Sequence, residues 1–107
     1  MRVINSHNTE AARAAIWECS DYVNSYVLVA NTAQTVTIPA GATVMAFAST
    51  GNFYANLRGA TAVVPTVNIT NGTSPELNPT VRSTAGLSTI SIISSATPVV
   101  TISFYNE

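Results

Sequence analysis

Glu76 and Arg82 are the one acid and one base that lie close together in the central part of the chain, within the stretch NGTSPELNPTVRST, Asn71 to Thr84. A carboxylate beside a guanidinium can move a proton, hold an anion or form an ion pair. The two are six positions apart, with Asn78-Pro79 between them, so a turn there would bring them together as a salt bridge. Pro75 and Pro79 would stiffen that turn. No histidine, cysteine or second acid lies nearby in the sequence. The segment therefore reads as a rigid connection, with Glu76 and Arg82 bracing it or facing a neighbouring subunit.

The other reactive side chains are sparse. His7 and Cys19 are the only residues of their types, too few for a zinc site without unusual partners. They could form a nucleophilic Cys-His pair, but an exposed histidine and a semi-buried cysteine is the simpler reading. Glu18 and Asp21 could in principle do paired-carboxylate work on a glycosidic bond. Nothing places them in a cleft, and they read as solvated charges near a helix end. No nucleophile elbow, glycine-rich phosphate loop or metal loop is present. Serine and threonine are plentiful, but a hydroxyl without a base is not a nucleophile. No catalytic residue, metal or cofactor is expected, and the chain is not expected to be an enzyme.

Charge is scarce overall. Charged residues make up 8% of the 107 residues, against about 25% in an average soluble domain. All four bases are arginine, and there is no lysine. A net charge of −1 gives no basic face for nucleic acid. Thr, Ser and Asn number 15, 11 and 10 and replace the missing charge. Interface cores are similarly depleted in charge, so this composition suits a protein whose faces are covered by neighbours. One cysteine excludes an intrachain disulfide. No apolar run follows Arg2, so no signal peptide is expected. No stretch approaches the ~20 apolar residues of a membrane span. Asn68-Ile-Thr70 and Asn71-Gly-Thr73 match the glycosylation triplet and are read as chance matches.

Two kinds of element would position these residues. NTEAARAAIWECSDY, residues 8–22, is the only helix-like piece: Asn8 or Thr9 could cap it and its alanines favour helix. It is short, so it should pack on the body or on a neighbour. Arg13 and Trp17, four apart on it, are candidate inter-subunit contacts together with Glu76 and Arg82. Beyond it the pattern changes to strands. YVNSYVLVA, QTVTIPAGA, TVMAFAS, NFYANLRG, LSTISIIS and PVVTISFYN each read as one strand, and TAVVPTVNIT as a short pair interrupted by Pro65. That makes about eight short strands with turn signals every 8 to 12 residues. The expected fold is all-β: an antiparallel, jelly-roll-like β-sandwich over residues 22–107, with an N-terminal arm or helix over 1–21. Of Phe47, Phe53 and Phe104, at least two should lie in the core. Trp17, Tyr22, Tyr26, Tyr54 and Tyr105 could stack on sugar rings, although interfaces are also rich in aromatics.

Four pieces taken in order carry a resemblance: Thr37-Ile38-Pro39-Ala40-Gly41-Ala42, Thr50-Gly51-Asn52-Phe53-Tyr54, Glu76-Leu77-Asn78-Pro79, and the end Phe104-Tyr105. Over roughly Val36 to Asn106 the chain resembles small structural virion proteins of tailed bacteriophages. Residues 1 to 21 carry none of it. The resemblance implies a non-enzymatic virion component, with capsid decoration (cement) as the first expectation. Such a protein would be made in the host cytoplasm and end on the capsid surface. Its partners would be the major capsid protein and further copies of itself, with a homotrimer favoured, and neither nucleic acid nor membrane. The alternatives are a fibre- or tail-associated β-sandwich that binds a carbohydrate receptor, and a head-tail connector component.

Overall fold

The computed structural model describes residues 21–106. The expected arm, its helix, and the contacts placed on Arg13 and Trp17 lie outside the described residues. Only the end of the helix-like piece is covered: Asp21 is a bend and Tyr22 already begins a strand.

Eight strands follow in order: β1 Tyr22–Val27, β2 Gln34–Thr37, β3 Val44–Ser49, β4 Tyr54–Asn56, β5 Glu76–Leu77, β6 Val81–Ser83, β7 Thr89–Ile93 and β8 Val99–Tyr105. They form two four-stranded antiparallel sheets, β1-β8-β3-β6 and β2-β7-β4-β5. The pairings β1·β8, β2·β7, β3·β6 and β4·β5 nest inside one another. The chain thus folds back on itself about the β4–β5 connection.

The longest strand sets the core. β8 alternates strictly, with Val100, Ile102 and Phe104 fully buried and Val99, Thr101 and Ser103 half-exposed on the other side. On β3, Met45 lies opposite Phe104 and Phe47 opposite Ile102. On β1, Tyr22 lies opposite Phe104 and Tyr26 opposite Val100. The second sheet supplies Val36, Ala55, Ile90 and Ile92 to the same cluster. The shared cluster makes the two sheets a sandwich. All three phenylalanines are buried, and the Phe47 and Phe53 rings lie 5.9 Å apart.

One part of the expected strand pattern is corrected. TAVVPTVNIT forms no strand pair; it belongs to the long β4–β5 connection, residues 57–75. Its valines and isoleucine favour strand, but among the described residues it pairs with no strand. The connection is instead pinned over the outer face of the second sheet. Asn56 Oδ1 accepts from the N–H groups of Arg58 (2.9 Å) and Ala60 (3.3 Å). Ala62 N–H donates to Ser91 Oγ at 2.9 Å. Ser91, Ile93 and Asn56 all point outward by register, yet all are buried.

The outer face of the first sheet is different. Its outward residues are Val23, Ser25 and Val27 on β1, Val99, Thr101, Ser103 and Tyr105 on β8, Val44, Ala46 and Ala48 on β3, and Val81 and Ser83 on β6. None of them is charged.

Two substitutions test this packing. Phe104→Ala removes a fully buried ring and should lower unfolding free energy by about 3–5 kcal/mol, read by denaturant titration. Ala85 sits at φ 52° beside Gly86 at φ 77°, in a turn closed by Leu87 N–H on Thr84 O. A left-handed backbone is costly for alanine. Ala85→Gly should therefore raise stability, by roughly 0.5–1 kcal/mol.

Candidate functional site

The segment singled out by its acid and base is the crossing from one sheet to the other. β5 ends the second sheet and β6 ends the first, so residues 78–80 span the open side of the sandwich. Pairing parity determines where the side chains go. Glu76 lies opposite Ala55, which points into the core, and Arg82 lies opposite Met45, which does the same. Both side chains therefore lean into the gap between the sheets and meet there. Arg82 Nη2 lies 2.8 Å and Nε 3.0 Å from Glu76 Oε1. Arg82 Nη1 also donates to Val81 O at 2.7 Å. The expected ion pair is present, and it links the edge strand of one sheet to the edge strand of the other.

Asn78 makes the crossing tight. Its φ of 48° is one that asparagine tolerates better than most residues. Its N–H donates to Phe53 O (2.9 Å), its Oδ1 accepts from Phe53 N–H (3.0 Å), and its Nδ2 donates to Asn52 Oδ1 (2.9 Å). Phe47 N–H donates to Thr80 O at 2.7 Å. Pro75 and Pro79 are both buried, so this loop is packed as well as bonded.

A shallow, open depression of about 310 Å³ lies beside this crossing, lined by residues 47–53 and 78–80. No acid, base, histidine or cysteine lines it. The Phe47 and Phe53 rings at its floor are buried, so they offer little open face for a sugar to stack on. Among the described residues, no group of three or more His, Cys, Asp or Glu comes together.

Asp21, Arg58, Glu76 and Arg82 are the charged side chains of the described residues, and each is engaged within the fold. Asp21 Oδ2 accepts from Asn106 N–H at 2.8 Å. Arg58 Nη1 donates to Gly72 O at 2.8 Å, bracing the long connection. Glu76 and Arg82 hold each other. Sequence reasoning found this last pair but missed the clamping by Asn78 and the bracing by Arg58. An asparagine directly before proline, in a segment that must reverse direction, was the available signal for Asn78.

Compared with known proteins, the chain matches no family model, no curated protein and no solved structure.

The chemistry this corner supports is mechanical: it closes one side of the sandwich. Glu76 and Arg82 are 45% and 42% exposed, so water screens the pair and Arg82→Ala should cost no more than about 1 kcal/mol. The Arg82 contribution should shrink further in high salt. Asn78→Ala loses two side-chain bonds and puts alanine at positive φ, so it should cost more, about 2–3 kcal/mol. Denaturant titrations of the two variants at low and high salt check the ranking.

Proposed function

We propose that this chain is a non-enzymatic structural protein of a tailed-bacteriophage virion. In this reading it is a capsid decoration or cement protein, made in the host cytoplasm, that binds the major capsid protein on the outer surface and stabilises the head. The observation that carries the reading is the uncharged outer face of the β1-β8-β3-β6 sheet. Valine, alanine, serine, threonine and one tyrosine (Tyr105) on a broad face suit burial against another protein, since charged residues are depleted where interfaces are fully covered. With its four described charges engaged within its own fold, the body presents little that would repel a neighbour.

Two further points support the reading. The resemblance over Val36 to Asn106 is to virion structural proteins. The nested strand order is read as that of a jelly roll, an architecture found in viral capsid domains and also in lectins. The lectin alternative would need an exposed aromatic platform beside polar groups, and the depression near Asn78 has its rings buried. The proposed mechanism is additive contact. Each copy buries modest area, and repetition around a particle, with trimeric units favoured, multiplies it.

The protein should co-sediment with expanded heads, and particles lacking it should release DNA at a lower temperature. Ala48→Glu sets an unpaired carboxylate within the uncharged face and should weaken capsid binding by at least about tenfold, with little change in thermal unfolding. Absence of co-sedimentation together with unchanged thermal release sinks the reading. Specific glycan binding on an array would replace it with the receptor-binding alternative.

A further inference from the structure

We propose that the outer edge of β1, which no strand of the described residues covers, is a self-association surface, at which a second copy of this chain pairs antiparallel through its own β1 and joins the two β1-β8-β3-β6 sheets into one of eight strands. The inference starts from the edges. An edge strand exposes unpaired N–H and C=O groups, and proteins usually blunt it by shortness, charge, proline or a bulge. β5 has two residues and carries Glu76; β6 has three and carries Arg82. β2 has four residues. β1 has six, YVNSYV, with no charge, proline or glycine. Its outward valines are unusually bare, Val23 at 52% and Val27 at 70% exposure.

The parity of β1 is fixed by its bonds to β8. Leu28 N–H donates to Pro98 O at 3.0 Å, so the groups of Tyr26, Asn24 and Tyr22 alternate with it toward β8. Those of Val23, Ser25 and Val27 point to the free edge. These three residues are self-complementary about Ser25. A twofold axis there sets Ser25 against Ser25 of the partner subunit and Val23 against Val27 of the partner subunit. In that register all three outward N–H groups and all three outward C=O groups of each copy find partners, giving six hydrogen bonds. A shift of two residues either way gives fewer. The outward valines then pair across the seam, where cross-strand neighbours stabilise each other. No like charges meet, because β1 has none, and Asp21, which precedes it, holds Asn106 N–H. The contact is isologous and closes at two copies. It joins two single chains, or two trimers where the chain is trimeric, and it does not rest on the virion reading.

The test uses the full chain and measures mass by light scattering after size exclusion, over a dilution series. The wild type should show an even number of copies. Ser25→Pro removes the central outward N–H while leaving the β8 ladder intact, a position where edge strands tolerate proline. It should halve the mass with little change in thermal unfolding. Val27→Lys should weaken association roughly tenfold. The pair Val23→Glu with Val27→Lys should recover it, because the register sets each new carboxylate against the partner's new ammonium. An odd or single copy number in the wild type overturns the proposal, and so does an unchanged mass in Ser25→Pro. A double variant no stronger than Val27→Lys overturns the register. A monomer whose Val23, Ser25 and Val27 amides resist hydrogen exchange overturns the proposal in favour of the chain's own residues 1–20 as the occupant of the edge.

Discussion

The inward set of Val100, Ile102 and Phe104 on β8 constrains the rest of the molecule. Side chains on a strand alternate, so one buried triplet fixes the face of every residue on β8 and, through the ladder, on both its neighbours. β3 must then turn Met45 and Phe47 inward and leave Ala46 and Ala48 outside. β6, paired to β3, must aim Arg82 toward the gap between the sheets. On β1 the same ladder sends the main chain of Val23, Ser25 and Val27 to the free edge. A one-residue slip would turn the fully buried Phe104 out to water and leave Ser103 in its place.

This dependence explains how a chain with so few charges places them. Arg82 and Glu76 meet because each occupies an inward-parity position on the last strand of its sheet. A long polar side chain is tolerable there because the sheet ends and water is near. Their attraction is modest at that exposure. Asn78 supplies the geometry, since its amide ties the crossing to Asn52 and Phe53 while its backbone takes the left-handed bend. The corner is therefore held mainly by hydrogen bonds and packed prolines, with the ion pair as a secondary brace.

Much of this was legible in the sequence where alternation ran for four residues or more. β2, β3, β7 and β8 show period-two patterns, and β1 shows its strand-forming composition. β4 was bracketed by its turn residues. The failures are equally physical. TAVVPTVNIT has the residues of a strand, but strand preference reflects fit to a pleated, partnered surface, and this segment lies over a sheet already four strands wide. β5 and β6 are too short for a pattern to show, so their stretch read only as a loop. The Glu76–Arg82 pair was accessible because proline and asparagine between two opposite charges imply a turn. The parity that aims both inward became visible only with the ladder partners known.

Edge management and low charge are connected. A chain with no lysine lacks the residue most often used to keep sheet edges apart. Here β5 and β6 are kept short, and their two charges face each other across the gap between the sheets. β2 is short and threonine-rich. β1 is left long, apolar and uncharged next to a face that is also uncharged. In a solitary protein that combination would be an aggregation hazard, since strand edges pair indiscriminately when nothing selects the register. Self-pairing about Ser25 would remove the hazard by using the edge, and it would extend the uncharged face into one continuous surface across two copies. The absence of charge along β1 then suits the seam, because a lone charge at Val23 or Val27 would face an apolar valine across it and one at Ser25 would face its own copy.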